Sequence, residues 1–233
     1  MHGNLDASDL NSDASPPGLA LWFGTPAAQD YFDPSSLTEA DRAQLVARRN
    51  SRRQQEFKVS RALKGFAVGG TVQSLSHSGG HAALLTASSG LQIGVDLEVA
   101  RPRDVLRIAR FAFSQEEVVA LETSSGAARD ELFYTLWTMK EALAKALRLE
   151  LVDALRQCVF APSASKWRGS APTGSPWSVQ VFQPRSGFFL AAACVGASDP
   201  PLLQLWEWPP LLAANWPLIA CAGAPAGAAA LPA

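Results

Sequence analysis

Apolar residues fall into short blocks along the first hundred positions and gather into one long helical run near residue 140. Leu19-Ala20-Leu21-Trp22-Phe23 is an unbroken apolar block closed by Gly24, which predicts a buried first strand. From Thr38 to Leu63 the apolar positions thin to Leu45, Val46, Phe57, Val59 and Leu63, and this predicts one or two helices broken near Asn50-Ser51. Gly69-Gly70 opens a β-rich stretch. Segments from Val72 to Leu75, Ala82 to Ala87 and Leu91 to Val99, separated by turns at Ser78-Gly79-Gly80 and Ser88-Ser89-Gly90, are expected to form an antiparallel meander.

Ser114 followed three positions later by Glu117 is a capping-box signature for a helix start. Asp130 to Glu150 predicts a long helix. At about 100° per residue, Leu132, Leu136, Leu143 and Leu147 form its core stripe, with Tyr134, Glu141, Lys145 and Arg148 opposite. Trp177 to Phe182 and Phe188 to Val195 read as strands joined at Pro184-Arg185-Ser186-Gly187. This order predicts an α+β fold of two similar halves, a pseudo-dimer, each an antiparallel sheet packed against a long helix. The expected organisation is a disordered leader at 1–17, halves at 18–108 and 109–199, and a Pro/Ala/Trp-rich tail at 200–233.

Composition narrows the function classes. Of 233 residues, 48% are hydrophobic and 18% charged, which excludes wholesale disorder and a coiled coil. Twenty Lys and Arg against 21 Asp and Glu give a net charge of -1, so whole-chain charge proposes neither nucleic acid nor a membrane surface as partner. The three cysteines, Cys158, Cys194 and Cys221, lack CxxC spacing and argue for reduced thiols and a cytoplasmic setting. The polar, acidic N-terminus does not read as a signal peptide. Repeated prolines after the uncharged start at Trp208 speak against a spanning helix.

Charge becomes informative locally. In Gln92-Ile93-Gly94-Val95-Asp96-Leu97-Glu98 the period-two alternation puts Asp96 and Glu98 on one face of a strand. Neighbouring carboxylates repel, so the pair suits either a hard cation such as Mg²⁺ or Mn²⁺, or a solvent-facing polar edge helped by Arg101 and Arg103. Glu141 and Lys145 are an i,i+4 acid–base pair, ordinary on an exposed helix and functional if Glu141 reaches the strand carboxylates. Ser74-Leu75-Ser76-His77-Ser78-Gly79-Gly80 offers hydroxyls, backbone N–H groups and an imidazole to an anion. Between Arg42 and Lys64 lie eight of the twenty cations in 23 residues, with Glu56 the single acid; this is a solvated face, a nucleic-acid patch or a polyphosphate clamp. Phe57 is the one interleaved aromatic, which weakens the nucleic-acid version. No GxSxG, GxxxxGK[ST] or GxGxxG pattern is present.

Ser-Leu-Ser-His-Ser at 74–78, Gly-Val-Asp-Leu-Glu at 94–98, Phe-Ser-x-x-Glu at 113–117 and Trp-x-x-Lys-Glu-Ala-x-x-Lys at 137–145 together resemble, in order and spacing, the 4'-phosphopantetheinyl transferases. The likeness is to the larger, two-halved type that activates surfactin synthetase. It covers roughly residues 74–150, with a weaker match of Arg52 to Arg61 to the family's upstream basic helix. The resemblance implies transfer of the 4'-phosphopantetheine arm of coenzyme A to a serine of an apo acyl or peptidyl carrier protein, with release of adenosine 3',5'-bisphosphate. It implies a Mg²⁺ site, with Mn²⁺ as substitute, at Asp96, Glu98 and Glu141; Glu141 as base for the carrier serine; and Lys145 facing the phosphates. Ser76, His77, and Arg52 or its neighbour Arg53 are implied to bind coenzyme A phosphates. Glu117 falls on a family glutamate near the metal, although its capping box explains it equally well. A Gly-Lys-Pro turn common in the family is missing here, and Lys64 is the nearest substitute. Coenzyme A is expected between the two halves, and a monomer is expected because the pseudo-dimer is built into one chain. The alternative reading is a non-catalytic module that binds coenzyme A or a carrier protein.

Overall fold

The computed structural model describes residues 19–48, 50–67, 72–87, 90–161, 167–197 and 201–224. The expected leader at 1–17, Arg49, Gly69-Gly70, Ser88-Ser89 and the end of the tail from 225 lie outside the described residues. In chain order the elements are β1 (Leu19–Gly24), α1 (Glu39–Ala47), α2 (Ser51–Phe66), β2 (Val72–Ser78), β3 (His81–Ala87), β4 (Gln92–Val99), α3 (Val105–Ala112), α4 (Gln115–Thr123) and α5 (Gly126–Leu147). They continue with α6 (Leu151–Gln157), β5 (Val159–Ala161), β6 (Arg168–Ser170), β7 (Trp177–Phe182), β8 (Phe188–Val195), β9 (Leu203–Trp208), β10 (Leu212–Ala213) and β11 (Leu218–Ala224). The fold is α+β, as expected. The chain divides into one unit of residues 1–89 and 202–215 and a second of residues 90–201 and 216–233.

In the first unit, five strands lie in the order β10-β9-β1-β3-β2. β1 is buried throughout, as its apolar block requires. α2 starts where Asn50 accepts from the Arg52 and Arg53 amides at 2.9 and 3.4 Å, satisfying donors that a helix start leaves open. Its Val59, Ala62 and Leu63 pack with Ala20, Trp22, Ala82 and Leu84 of β1 and β3. An aromatic ladder extends this core: the Trp22 and Trp206 rings stack at 5.7 Å, and Phe66 and Trp208 at 4.4 Å.

In the second unit, four strands lie in the order β11-β7-β8-β4, all paired antiparallel. α5 crosses this sheet. Eleven of its 22 residues are buried, Phe133, Tyr134, Met139, Lys140 and Leu143 among them. The capping box at Ser114 and Glu117 forms as the sequence predicts. The two units share a connection: β1-α2-β2-β3 and β4-α5-β7-β8 each place the last strand between the other two.

Three expectations change. β4 does not continue a meander, because β3 already pairs with β1 on one edge and β2 on the other; β4 pairs with β8 instead. Tyr134 is fully buried, not on a solvent face, since α5 packs on the sheet and is also covered by α4 and α6. Its hydroxyl donates to the Arg101 carbonyl and accepts from the Arg101 amide, at 3.0 and 2.9 Å. The region from 200 is also not a plain tail. β9 joins β1 in parallel, making that sheet mixed, while β11 completes the other sheet along β7. Unit boundaries therefore fall near residues 89 and 201 and again at 215, unlike the expected 108 and 199. No helix among the described residues is long and apolar enough to cross a membrane.

Candidate functional site

In the second unit, β4 brings the strand carboxylates under α5. The period-two face that carries Asp96 and Glu98 also carries Gly94. A Cβ built on Gly94 would lie 1.9 Å from the Ala142 carbonyl oxygen and 2.6 Å from the Ala146 nitrogen. Only a residue without a side chain lets the helix backbone sit there. That close approach sets Glu141 and Lys145, the neighbours of Ala142 and Ala146, over Asp96. Asp96 is 3% exposed, which removes the solvent-facing edge as an account of it. Arg103 instead lies over the Tyr134 ring at 5.2 Å.

Lys145 donates to Asp96 Oδ1 at 2.8 Å and to the Val95 carbonyl at 2.9 Å, and its Nζ stands 4.0 Å from Glu141 Oε2. Burial pushes the Glu141 carboxyl up to about 8, reinforced by the Asp96 and Glu98 charges and a hydrogen bond with Asp96, against the opposing pull of Lys145. Near neutral pH Glu141 therefore holds a proton between carboxylates. Three hard-oxygen side chains and one ammonium thus converge at the junction of β4 and α5. Among the described residues, no three His, Cys, Asp or Glu side chains already stand in metal-ligating geometry. The donor chemistry nonetheless fits a hard divalent cation, since the excess negative charge is now balanced by Lys145 and a bound proton.

Glu117 belongs elsewhere. Its carboxylate accepts from the Ser114 amide at 2.9 Å and the Phe160 amide at 2.8 Å, and it pairs with Lys140 at 2.9 Å. Both side chains are fully buried. Lys140 also donates to the Leu155 and Cys158 carbonyls. Burial draws its ammonium below lysine's usual range, while Glu117 pulls the other way. This pair ties α5 to α4, α6 and β5. Burial likewise raises the Cys158 thiol to about 11, so it is no nucleophile.

The residues implied to bind phosphates lie in the first unit, Lys145 apart. Ser76 and His77 are successive on β2, opposite Ala83 and Ala82 of β3, so their side chains point to opposite faces of the sheet. His77 is on the α2 side. Its Nδ1 lies 3.8 Å from Glu56 Oε2, and Arg52 Nε lies 3.5 Å from Glu56 Oε1. Arg53 lines a shallow depression of about 490 Å³ with Gln44, Ala47, Arg48 and Asn50. Lys64 sits in the last turn of α2, roughly 18 Å along the axis from Arg52, so the two do not share one phosphate. Glu56, the lone acid of the basic segment, is the residue that sequence reasoning missed as a partner of both Arg52 and His77.

Comparison with known proteins bears on this arrangement. Residues 92–193 match the 4'-phosphopantetheinyl transferase superfamily, a span that contains β4, α5 and all four residues of the acidic site. The chain is similar to 4'-phosphopantetheinyl transferase AcpT of Salmonella typhi, 41% identical over 31% of this chain and 38% of the relative. It is similar to 4'-phosphopantetheinyl transferase HetI of Nostoc sp., 29% identical over 61% of this chain and 59% of the relative. A Synechocystis sp. protein provisionally named a 4'-phosphopantetheinyl transferase is 34% identical over 41% of this chain and 39% of the relative. These matches each span less than two thirds of the relative's length. The superfamily match is confined to residues 92–193, less than half of the chain.

Proposed function

We propose that this protein transfers the 4'-phosphopantetheine arm of coenzyme A to a serine of an apo carrier protein, in a reaction that depends on Mg²⁺, and releases adenosine 3',5'-bisphosphate. The observation that carries this reading is the convergence of Asp96, Glu98, Glu141 and Lys145 where α5 crosses β4. Such a cluster is costly in a fold and suits a polyanionic substrate brought in with a cation.

Asp96, Glu98 and Glu141 would hold the metal, which when bound neutralises pyrophosphate charge. Lys145 would place its ammonium against the phosphates, leaving its present bond to Asp96. The serine oxygen attacks the β-phosphorus of coenzyme A, and the bond from that phosphorus to the bridging oxygen breaks, so the bridging oxygen leaves with adenosine 3',5'-bisphosphate. Glu141, once its own proton has left, takes the serine proton, directly or through water. A carboxylate whose proton affinity burial has raised toward neutrality is well matched to that task. In the first unit, His77 and Arg52 or Arg53 would contact coenzyme A phosphates, and Ser76 would serve through its backbone or hydroxyl. Lys64 is assigned no phosphate shared with Arg52. The proposed state is a monomer, a reading supported by the repeated strand order within one chain.

Intact-mass spectrometry tests this reading: an apo carrier protein is incubated with the full chain, coenzyme A and Mg²⁺, beside Glu141→Gln and EDTA controls. A mass gain of one phosphopantetheine arm, lost in both controls, is the expected result. No gain on fatty-acid, polyketide and peptide carriers, with coenzyme A still bound, would replace the enzyme with a non-catalytic binding module.

A further inference from the structure

The basic helix α2 hides one carboxylate where three parts of the first unit meet. Glu56 is 8% exposed. Its Oε1 accepts from the Gly80 amide at 3.1 Å and lies 3.5 Å from Arg52 Nε, while its Oε2 lies 3.8 Å from His77 Nδ1. The two cations have side chains 54% and 38% exposed, in contrast to the 10% of Glu56. One hidden negative charge thus stands between two cationic groups that reach solvent, and it also fixes the turn that follows the Ser-His-Ser motif.

This arrangement has a direct electrostatic consequence. Two cations held close repel, unless an anion between them offsets the repulsion. With His77 protonated the trio carries a net charge of +1, with its anion buried and its cations outward. An imidazole whose Nδ1 faces a carboxylate has its tautomer and ring orientation biased, with Nε2 directed away from the carboxylate. Glu56 faces His77 from α2 and Arg52 faces Glu56, and the register partner of His77 on β3 is Ala82. The Gly80 contact holds the β2–β3 turn against α2, so Glu56 cannot turn away from His77 without losing a buried hydrogen bond.

We infer that Glu56 is a positioning residue that holds His77 and Arg52 as a preformed clamp for a phosphate group, which under the reading above is a phosphate of coenzyme A. Glu56 touches no substrate and acts through its two cationic neighbours.

The test is a double-mutant cycle on the full chain with Glu56→Gln, His77→Gln and the pair. Coenzyme A and adenosine 3',5'-bisphosphate affinity are read by calorimetry, KM and kcat by the carrier assay, and the His77 ring by nitrogen-15 NMR. Gln keeps an oxygen for Gly80, so Glu56→Gln is expected to fold. It should weaken binding about tenfold, raise KM for coenzyme A by a similar factor, leave kcat at saturation within about twofold, and shift the His77 ring signals. It should add less to the loss already caused by His77→Gln than it costs alone, the remainder passing through Arg52, and Glu56→Asp should recover part of the affinity. Unchanged affinity and unchanged His77 signals in folded Glu56→Gln overturn the proposal. So do fully additive losses, or unfolding of both Gln and Asp variants, which would make Glu56 a folding residue. If wild-type protein binds neither ligand, the reading of the whole site fails, while the His77 signals still decide whether Glu56 positions the ring.

Discussion

Lys145 binds Asp96 at 2.8 Å across the junction of α5 and β4, and the same ammonium holds the Val95 carbonyl at 2.9 Å. A side chain that is 35% exposed therefore neutralises one that is 4% exposed. Lys145→Met is expected to destabilise the metal-free protein by about 1–2 kcal/mol, because Asp96 loses its lysine beside two other carboxylates. Chemical denaturation reads this directly. If Lys145 also meets substrate phosphates, carrier modification falls about 100-fold, and a variant with native turnover would remove Lys145 from the reaction.

Glu141 makes stability depend on pH. Its folded carboxyl is pushed up to about 8, whereas its ordinary value is 4.5, so between those limits the folded state keeps a proton that the unfolded chain has released. Its stabilising contribution is fully present below 4.5 and is lost as pH rises through about 8. In EDTA, the melting temperature of wild-type protein should fall between pH 6 and pH 8.5 more than that of Glu141→Gln. Equal slopes for the two proteins would contradict the burial of that carboxyl.

Gly94 sets how near α5 can lie to β4. Alanine there meets backbone atoms at 1.9 and 2.6 Å, and no side chain can yield to relieve the clash. Gly94→Ala should therefore cost about 2–4 kcal/mol and, by lifting Glu141 and Lys145 from Asp96, lose activity even at temperatures where it stays folded. Full activity in the folded variant would show that the helix-to-strand distance is not what assembles the site.

Lys140 and Glu117 bury both charges of one pair. Lys140→Met alone leaves the carboxylate buried without its ammonium and should cost about 3–5 kcal/mol. Glu117→Gln combined with Lys140→Met should cost clearly less than the two single losses added together. Additive losses, measured by urea denaturation, would argue against a direct pair.

Local signals explain what the sequence made legible. The β1 block, the capping box of Ser114 and Glu117, the break at Asn50 and the long run of α5 each depend on neighbours within a few positions. The carboxylate cluster was legible because its residues lie in two short motifs, one with strand period and one with helix spacing. Pairings across the chain were not. Nothing near Leu203 announces that it lies beside Leu19, and nothing in the β4 segment tells that Gln92 pairs with Val195. Tyr134 was misplaced because a helical wheel assumes a single buried stripe, whereas α5 is covered on several sides. Glu56 looked like one stray acid in a basic helix until β2 and its turn folded against it.

The alternation of the chain between its two units shapes how it is made. β1 leaves the ribosome long before its parallel neighbour β9, which lies almost two hundred positions later. β7 likewise waits for β11, close to the last described residue. Neither sheet can be completed during synthesis until β9 and β11 have been translated, so the first unit cannot finish folding before most of the second has been made. Until then the nascent chain exposes open strand edges, which invite pairing with other chains. A fragment trimmed to residues 92–193 would inherit the same liability permanently, since it carries β7 without β11.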